Sequence, residues 1–305
     1  MNNITQRDTL PNTINIHSLT RCSYACGFCH SGFATAGCEK LPHRQFLEIV
    51  HQFAALPKLD GQARKITFAG GEPLLYCGIV DVIGFAKEQG LVTSLVTNGL
   101  HLTPGILARL TPILDWCAIS VDSADTVTNR LIGRCTAKGT VLSKEDYIIR
   151  ARTLREAKVH LKINTVVNRR NLLEDFTPFI NAAYPERWKI LQCSQMEGEN
   201  DADFDRWAIT PEEFDDFLNY HHEKLGKTDI ALVPETQNDI RGTYAIVAPN
   251  GCFLDNSDGT CRYSRPIVEV GIETAFSDVR FSSERFRQRN GDYNFTTGKN
   301  RSRNN

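Results

Sequence analysis

The sequence has neither a long hydrophobic run nor an excess of charge of one sign. No stretch approaches the roughly 18 consecutive apolar residues that a membrane-spanning helix needs. The first 13 residues are polar and include Arg7 and Asp8, so they lack the apolar core of a signal peptide and the basic face of a membrane-surface helix. We therefore expect a cytoplasmic protein with no membrane partner.

The charge balance excludes a further class of partner. The 35 Lys and Arg residues oppose 36 Asp and Glu residues, which leaves a formal net charge of −1 and no global basic field to attract nucleic acid. Hydrophobic residues make up 41% of the 305 residues, as in ordinary globular proteins, and there are no repeats or low-complexity segments. The length suits one large domain or two small ones, and we expect a monomer.

Short β-branched runs alternate with amphipathic runs from about residue 13 to residue 234. The pattern predicts strands at Ile14–Leu19, Lys65–Phe68, Val92–Val96, Trp116–Ser120, Val159–Val166, Lys189–Gln192 and Ile230–Val233. It predicts helices at Arg44–Leu56, Ile79–Glu88, Pro104–Leu110, Lys144–Ala157, Leu172–Ala183 and Pro211–Leu225. Such alternation favours parallel strands with crossover helices, in either an open doubly wound sheet or a complete or partial βα barrel. In both architectures ligands bind at the carboxyl ends of the strands.

The alternating pattern fades after about Glu235. Residues 280–305 are rich in Arg, Asn, Ser and Gly, and their isolated aromatic residues are Phe281, Phe286, Tyr293 and Phe295. This composition predicts that about the last dozen residues are mobile.

Ten cysteines are many for a reducing compartment, and in a chain of this length they favour thiols or metal ligands over a disulfide framework. Three of them, Cys22, Cys26 and Cys29, have the spacing C-x3-C-x2-C directly after the first predicted strand. The others are scattered singly, at Cys38, Cys77, Cys117, Cys135, Cys193, Cys252 and Cys261.

Three thiolates in one short loop predict a metal centre. Soft thiolates select zinc, copper(I) or iron–sulfur clusters. His30 offers a fourth ligand for a structural zinc site. A [4Fe–4S] cluster held by only three cysteines instead leaves one iron open to a ligand from outside the protein. Three unrelated buried cysteines are the remaining alternative.

Two glycine-containing turns follow the next two predicted strands. Gly70 and Gly71 end the second strand, where they let the backbone approach a ligand, and Glu72 adds an acceptor. Thr97 and Asn98 follow the third strand in the same way. Ordinary β-turns are the alternative interpretation of each segment taken alone.

Together, the cysteine spacing and the Gly-Gly-Glu-Pro segment resemble the radical S-adenosylmethionine (SAM) superfamily. The resemblance implies that Cys22, Cys26 and Cys29 hold a [4Fe–4S] cluster whose open iron chelates the amino and carboxylate groups of the methionine part of SAM. It also implies further cofactor contacts, from Phe28 over the adenine, from Gly70, Gly71 and Glu72 to the methionine amine, and from Thr97, Asn98, Ser120 and Asp122 to the ribose and carboxylate.

Further segments resemble one group of this superfamily, the viperin-like enzymes, from about residue 14 to residue 295. These segments are residues 119–123, 131–134, 162–168, 187–189, 197–200 and 232–235. The resemblance implies an α/β fold with a partial (βα)6 barrel of the radical SAM type over residues 14–234. A C-terminal extension over residues 235–295 would complete the substrate site, and residues 1–13 and 296–305 would be flexible.

The resemblance also implies a reaction and its partners. Viperin-like enzymes abstract the 4′ hydrogen of a nucleoside triphosphate, remove the ribose 3′-hydroxyl as water and leave a 3′,4′ double bond. The product from CTP, 3′-deoxy-3′,4′-didehydro-CTP (ddhCTP), is a chain terminator with an antiviral effect. We expect CTP or UTP rather than GTP, with Mg²⁺ on the phosphates. An electron donor such as flavodoxin or ferredoxin is the expected protein partner.

The charged residues support a triphosphate substrate independently. A triphosphate carries about four negative charges and needs clustered cations. Residues two apart on one strand point the same way, as Lys162 and Asn164 do on one predicted strand. Exposed strand-end charges in salt bridges are the alternative. The predicted phosphate-binding cations are Lys65, Arg134, Lys162, Arg187 and Lys189.

Two residues receive predicted catalytic roles. Tyr244 matches a family tyrosine near the ribose, which implies that it supplies the late hydrogen or relays charge, and a packed aromatic residue is the alternative. Lys162 is expected to assist departure of the hydroxyl. We also expect residues 285–295 to fold over the substrate as a lid, with disorder as the alternative.

The sequence departs from the family in three places. It lacks the membrane helix and the terminal tryptophan of vertebrate members, and its loop from His30 to Thr35 differs, so the cluster-delivery partner and the base preference are expected to differ too.

Two other functions stay open, a radical enzyme with another substrate and a non-catalytic zinc-binding module. A peptide-maturing radical enzyme would need auxiliary clusters, for which Cys252 and Cys261 are too few.

Overall fold

The structure is a computed structural model that describes residues 9–29, 33–59 and 61–296. Most of the predicted flexible N-terminus, the predicted flexible tail beyond Thr296, and residues 30–32 of the cysteine loop lie outside the described residues. None of the helices in the described ranges has both the length and the apolar character needed to cross a membrane.

Among the described residues, ten strands form one sheet that does not close. Across the sheet their order is β10-β9-β8-β1-β2-β3-β4-β5-β6-β7, and the pairs β8–β9 and β9–β10 are antiparallel while the other pairs are parallel. The predicted α/β fold with parallel strands is thus confirmed. The strands are β1 (Thr13–His17), β2 (Lys65–Ala69), β3 (Val92–Thr97), β4 (Trp116–Ser120), β5 (His160–Val167), β6 (Arg187–Gln192), β7 (Ala231–Glu235), β8 (Ile246–Val247), β9 (Phe253–Asp255) and β10 (Arg262–Tyr263).

Helices connect the strands and cover the outer face of the sheet. In α1, Phe46, Ile49, Val50 and Phe53 lie on one helical face, and all four are fully buried. The helices are α1 (His43–Ala55), α2 (Ile79–Glu88), α3 (Pro104–Leu110), α4 (Thr126–Leu131), α5 (Lys144–Glu156), α6 (Thr177–Ala183), α7 (Pro211–Leu225), α8 (Gln237–Ile240), α9 (Ile267–Val270), α10 (Ile272–Phe276) and α11 (Ser283–Gln288).

Capping explains why several helices begin where the sequence predicts. At the start of α7, the Thr210 side chain accepts from the Glu213 backbone N–H, and the Glu213 carboxylate accepts from the Thr210 N–H. Pro211 occupies the first turn, where its missing N–H costs nothing. The predicted start and end of this helix are therefore confirmed.

The fifth predicted helix begins too early in the sequence prediction. The structure starts α6 at Thr177 rather than Leu172. The Asn171 side chain accepts from the Asn168 N–H, and Glu174 accepts from the Ala124 N–H, so this segment is held in a turn by local and cross-loop bonds.

The C-terminal region is folded although its sequence pattern fades. Strand β8 extends the sheet beside β1, and the segment after α11 packs on β4. The Trp116 indole N–H donates to the Phe295 carbonyl at 2.7 Å, and the Phe295 side chain is 1% exposed. Buried contacts therefore hold Phe295 against β4, contrary to the expected mobility at this residue, and the flexible tail expected from residue 296 stays a prediction.

Alternate residues of the parallel strands face one cavity. On β5, Lys162, Asn164 and Val166 line it, and on β6 Arg187 and Lys189 do so. Intervening residues such as Ile163 and Trp188 are fully buried in the outer core. This two-residue period separates a polar interior from an apolar exterior on the same strands.

Candidate active site

One cavity of about 370 Å³ is lined by residues from β1 through β7 and from the C-terminal segment. It brings together nearly all of the side chains and glycines that the sequence predicts, and Glu72 is the exception. The predicted residues that line it are Cys22, Cys26, Phe28, Cys29, Lys65, Gly70, Gly71, Thr97, Asn98, Ser120, Asp122, Arg134, Lys162, Asn164, Arg187, Lys189 and Tyr244.

The cysteine loop is fastened to the turn that follows α4. The Ala25 N–H donates to the Gly133 carbonyl at 3.0 Å, and the Gly27 N–H donates to the Ile132 carbonyl at 3.1 Å. A Cβ on Gly133, which has φ 77°, would collide with the Ala25 carbonyl oxygen. A Cβ on Gly27 would collide with the Trp207 ring. Both glycines therefore permit close packing that holds the loop at the cavity mouth.

The thiols of the cysteine loop differ in their surroundings, since Cys22 accepts hydrogen bonds whereas Cys26 packs against the apolar cluster that includes Phe28 and Trp207. The Cys22 sulfur accepts from the Tyr24 N–H at 3.5 Å and the Asn98 amide at 3.7 Å. Burial raises the pKa of the Cys26 thiol to about 12, so metal binding must displace its proton. In the described ranges no three His, Cys, Asp or Glu side chains converge tightly enough for one metal ion. All three cysteines line the same cavity, and a set of three thiolates suits an iron–sulfur cluster.

The Gly-Gly turn after β2 lies against the start of the cysteine loop. A Cβ on Gly71 would overlap the Arg21 carbonyl oxygen, and Gly70 has φ 138°, a conformation that favours glycine. The backbone can therefore reach both the loop and the cavity. The sequence predicted that the paired glycines allow a close backbone approach, and the structure shows such an approach to the cysteine loop.

Glu72 is fully buried and does not line the cavity. Its carboxylate accepts from the Thr97 hydroxyl at 2.7 Å and from the backbone N–H groups of Asn98 and Leu74 at 2.8 and 3.2 Å. The side chain therefore ties the turn after β3 to the turn after β2. Three accepted bonds leave one of the roughly four acceptor positions of a carboxylate, and the predicted contact with the methionine amine stays a prediction.

Arg134 lies at the end of the cavity nearest the cysteines, which we call the cluster end (Cys22, Cys26, Cys29, Ser120 and Asp122). Its guanidinium pairs with Asp122 at 2.6 Å and donates to the Ser120 carbonyl. The other Asp122 oxygen accepts from the Val166 N–H at 2.8 Å. The sequence grouped Arg134 with the phosphate-binding cations, but the structure places it in a separate buried pair.

Four other cations converge at the opposite end, which we call the cation end (Lys65, Lys162, Arg187 and Lys189). In the register of β5 and β6, Lys162 pairs with Arg187 and Asn164 with Lys189. The Tyr293 hydroxyl accepts from Lys65 at 2.7 Å and also from Lys162. The C-terminal segment therefore forms the floor of this end.

Burial and mutual repulsion lower the pKa values of two lysines at the cation end. Burial, with a further contribution from Lys189, lowers the pKa of Lys65 to about 7. Burial and the neighbouring Lys65 lower the pKa of Lys162 well below its ordinary value. Like charges held together away from water favour a bound anion, because an anion would offset both the burial and the repulsion.

Three residues that the sequence did not predict as site residues complete this end, namely Glu235, Arg289 and Tyr293. Glu235 is completely buried and pairs with Lys189 at 2.6 Å and with Arg289 at 2.9 Å. The available signal was its place at the end of β7, two residues after Val233, on the same side of the strand. Arg289 and Tyr293 follow no periodic pattern, and their roles become visible only through long-range contacts.

The comparisons with known proteins agree with this geometry. The model of the Radical SAM superfamily matches residues 16–183. An S-adenosylmethionine-dependent nucleotide dehydratase of Lacinutrix mariniflava is 39% identical over 94% of this chain, which spans only 60% of that relative. One from Flammeovirga pacifica is 36% identical over 96% of this chain and 99% of the relative.

The fold has solved counterparts as well. The structure of Streptococcus suis SuiB bound to S-adenosylmethionine superposes with a TM-score of 0.64, at 14% identity, over 92% of this chain and 68% of that one. At this identity the likeness concerns the fold alone. From the family match, the relatives and the geometry of the cavity, we conclude that the chain belongs to the radical SAM superfamily and, within it, to the family of S-adenosylmethionine-dependent nucleotide dehydratases.

Proposed function

We propose that this protein is a radical SAM dehydratase that removes the ribose 3′-hydroxyl of a nucleoside triphosphate. The observation that carries the proposal is the division of one cavity into a thiol-lined end and a cation end. A nucleotide that spans the cavity would hold its triphosphate among the cations and its ribose toward the cysteines. The names of the two relatives support the same reaction class.

The cluster end offers a set of groups that suits SAM. When bound, the cluster and SAM together supply the 5′-deoxyadenosyl radical that starts the reaction. Cys22, Cys26 and Cys29 would hold the cluster, and the glycine backbone at residues 70 and 71 would meet the methionine part. We assign the methionine carboxylate to the neighbourhood of Ser120 and Arg134, because a buried guanidinium is the natural partner of a carboxylate.

The predicted cofactor contacts of Phe28, Thr97 and Asn98 remain part of this proposal. Phe28 is 5% exposed and lies edge-on to Trp207, with ring centroids 6.1 Å apart, so its orientation at the cavity wall is fixed. The Asn98 amide donates to the Ser23 hydroxyl at 3.0 Å beside the cysteine loop. These contacts would hold the adenosine part of SAM beside the cysteine loop that binds the cluster.

Asn164 would orient the substrate ribose between the two ends. It lies opposite Ser120 in one neighbouring strand and opposite Lys189 in the other. Its side-chain oxygen is buried without a hydrogen-bond partner among the described residues. A buried acceptor without a partner is costly, and a ribose hydroxyl would satisfy it.

Lys162 would supply the proton with which the 3′-hydroxyl leaves as water. The triphosphate would raise the pKa of Lys162 again by offsetting the repulsion from Lys65, so that the lysine carries a proton when substrate is bound. Tyr244 would act later, as the source of an electron or hydrogen for the substrate. The enclosed cavity would exclude water from the radical steps.

The finer points of the proposal concern base and partners. We propose CTP or UTP as substrate, Mg²⁺ on the phosphates, and an antiviral chain terminator such as ddhCTP as product. A one-electron donor of the flavodoxin or ferredoxin type would reduce the cluster. We further propose that the protein works as a monomer in the cytoplasm.

The test is an anaerobic assay of the protein reconstituted with iron and sulfide. It would contain a chemical reductant, SAM and, in separate reactions, CTP, UTP, GTP or no nucleotide, with mass spectrometry of the products. We expect a dehydrated nucleotide and 5′-deoxyadenosine together with one pyrimidine triphosphate. The C22A variant, which lacks one proposed ligand, is expected to form neither. Formation of 5′-deoxyadenosine that ignores every triphosphate would contradict the substrate assignment.

A further inference from the structure

The Glu235 carboxylate connects β7, the loop before β8 and the C-terminal segment. One oxygen accepts from Lys189 and Arg289, and the other accepts from the Tyr244 hydroxyl. Burial alone would raise the pKa of this carboxyl, but Lys189 and Arg289 hold it below its ordinary value. Glu235 is therefore an ionised base inside the cavity when the site is at rest.

The same contacts fix the orientation of Tyr244. The Arg289 guanidinium carbon lies 3.8 Å from the centre of the Tyr244 ring, and Lys189 donates to the Tyr244 oxygen. Because a lysine ammonium can only donate, the phenolic hydrogen is directed to Glu235. Arg289 is itself fixed by bonds of 2.9 and 2.7 Å to the hydroxyl and carbonyl of Thr243.

We propose that Glu235 accepts the phenolic proton of Tyr244 when Tyr244 gives an electron to the substrate. This step rests on the proposed function, in which loss of water leaves a substrate radical cation at C3′ and C4′. One electron from Tyr244 completes the double bond, while its O–H bond breaks and the proton moves to Glu235. The products are the neutral alkene, a neutral tyrosyl radical and a protonated Glu235. A one-electron donor protein then reduces the radical, and the proton returns to the phenol.

The surrounding charges make a proton acceptor necessary. An oxidised phenol that kept its proton would place a third positive charge beside Lys189 and Arg289, in a buried site where charge repulsion is poorly screened. Among the described residues, the Tyr244 hydroxyl contacts Lys189 and Glu235, and only the carboxylate can take a proton. Glu235 acts through Tyr244 and is thus a positioning residue and proton acceptor rather than a substrate contact.

The test compares E235Q with Y244F and with the double variant. The amide of E235Q keeps the shape of the side chain but cannot take a proton. Because abstraction of the 4′ hydrogen does not involve this pair, we expect 5′-deoxyadenosine to form while the yield of dehydrated nucleotide per 5′-deoxyadenosine falls by about a hundredfold. The double variant is expected to be no worse than Y244F, since the two residues act in one step.

A second measurement needs neither cluster nor turnover. Burial raises the pKa of Tyr244 well above its ordinary value and the Glu235 charge raises it further, so E235Q should ionise one tyrosine at lower pH than the parent protein does. Tyrosinate absorbance of the unloaded protein measures this, and the E235Q/Y244F variant should lack the change. The E223Q variant, with an exposed carboxylate on α7, is the matched control and should change neither readout.

Two results would overturn the inference. One is an unchanged product ratio in E235Q or, if that variant does not fold, in E235D, which withdraws the carboxylate by one methylene. The other is a double variant that is much worse than Y244F alone. A parent enzyme that forms no dehydrated nucleotide would instead contradict the proposed function, and the tyrosine titration would still test the pairing of Glu235 with Tyr244.

Discussion

The two ends of the cavity are built in opposite ways. At the cluster end, polar groups are paired within the protein, as Arg134 is with Asp122 and Glu72 with the turn after β3. At the cation end, Lys65, Lys162 and their neighbours outnumber the single carboxylate of Glu235. Pairs within the protein thus hold the first end together around its three thiols, whereas the second is a set of repelling charges that its ligand would complete.

The largest expected effect separates the two ends completely. Replacing Cys26 by serine should abolish the iron content and all turnover, because one of three cluster ligands is lost. Nucleotide binding to the cation end should remain within about threefold of the parent protein, since no cation is changed. Iron analysis and calorimetric titration with CTP measure the two outcomes. Loss of nucleotide binding in this variant would show that the ends are not independent.

A change at the cation end should weaken nucleotide binding and leave the cluster end unchanged. The K189M variant removes one cation from the cation end, and we expect affinity for the triphosphate to fall by about 10- to 100-fold, as for a lost charge-assisted contact. SAM binding to the reconstituted protein should not change. Comparable titrations with CTP and cytidine provide the control, because cytidine lacks the phosphates and should bind both proteins equally.

The cation end should also make stability depend on pH. The pKa of Lys65 is about 7 in the folded protein and close to its ordinary value when unfolded, so the unfolded chain binds more protons above pH 7. The loss of stability that comes from burying a charged Lys65 is therefore fully present below pH 7, and it decreases as pH rises. We expect the melting temperature of the nucleotide-free protein to rise from pH 7 to about pH 8.5.

The K65M variant provides the matched control for this pH dependence. It should melt at a higher temperature than the parent at pH 7 and show a smaller rise with pH, and saturating triphosphate should flatten the rise in the parent. Equal slopes for K65M and the parent would contradict the assignment of the effect to Lys65.

The smallest expected effect concerns the floor of the cation end. The W116F variant loses the 2.7 Å bond from the indole to the Phe295 carbonyl while keeping an aromatic side chain. We expect a loss of about 1 kcal/mol in the free energy of unfolding and a few-fold weaker affinity for triphosphate. Chemical denaturation and CTP titration measure both, and an effect on the cluster content would contradict a purely local role.

The contrast between the ends also explains what the sequence could predict. The cluster end is encoded locally, since its cysteines lie within eight residues and its glycines lie in one turn. The strand cations were predictable because residues two apart share one side of a strand, as Lys162 and Asn164 do. Strand and helix positions were predictable for the same reason of strong periodicity, with α6 as the main error in bounds.

Contacts between distant segments could not be predicted in this way. Arg289 and Tyr293 lie in a segment without periodicity, and their partners Glu235 and Lys65 are far away in sequence. The pairing of Arg134 with Asp122 likewise depends on how the turn after α4 returns to β4. Residue type alone made Arg134 a candidate for phosphate, and only the structure shows that it lies at the cluster end, apart from the four other cations.

The floor built around Tyr293 has a consequence for synthesis. A ribosome makes the chain from its N-terminus, and domains form as their segments emerge. The cysteine loop and the first seven strands precede residue 236, but Arg289 and Tyr293 appear only some fifty residues later. The nascent polypeptide can therefore fold most of its scaffold while the phosphate-binding compartment still lacks its floor, so nucleotide capture must await synthesis of the segment that carries Arg289 and Tyr293.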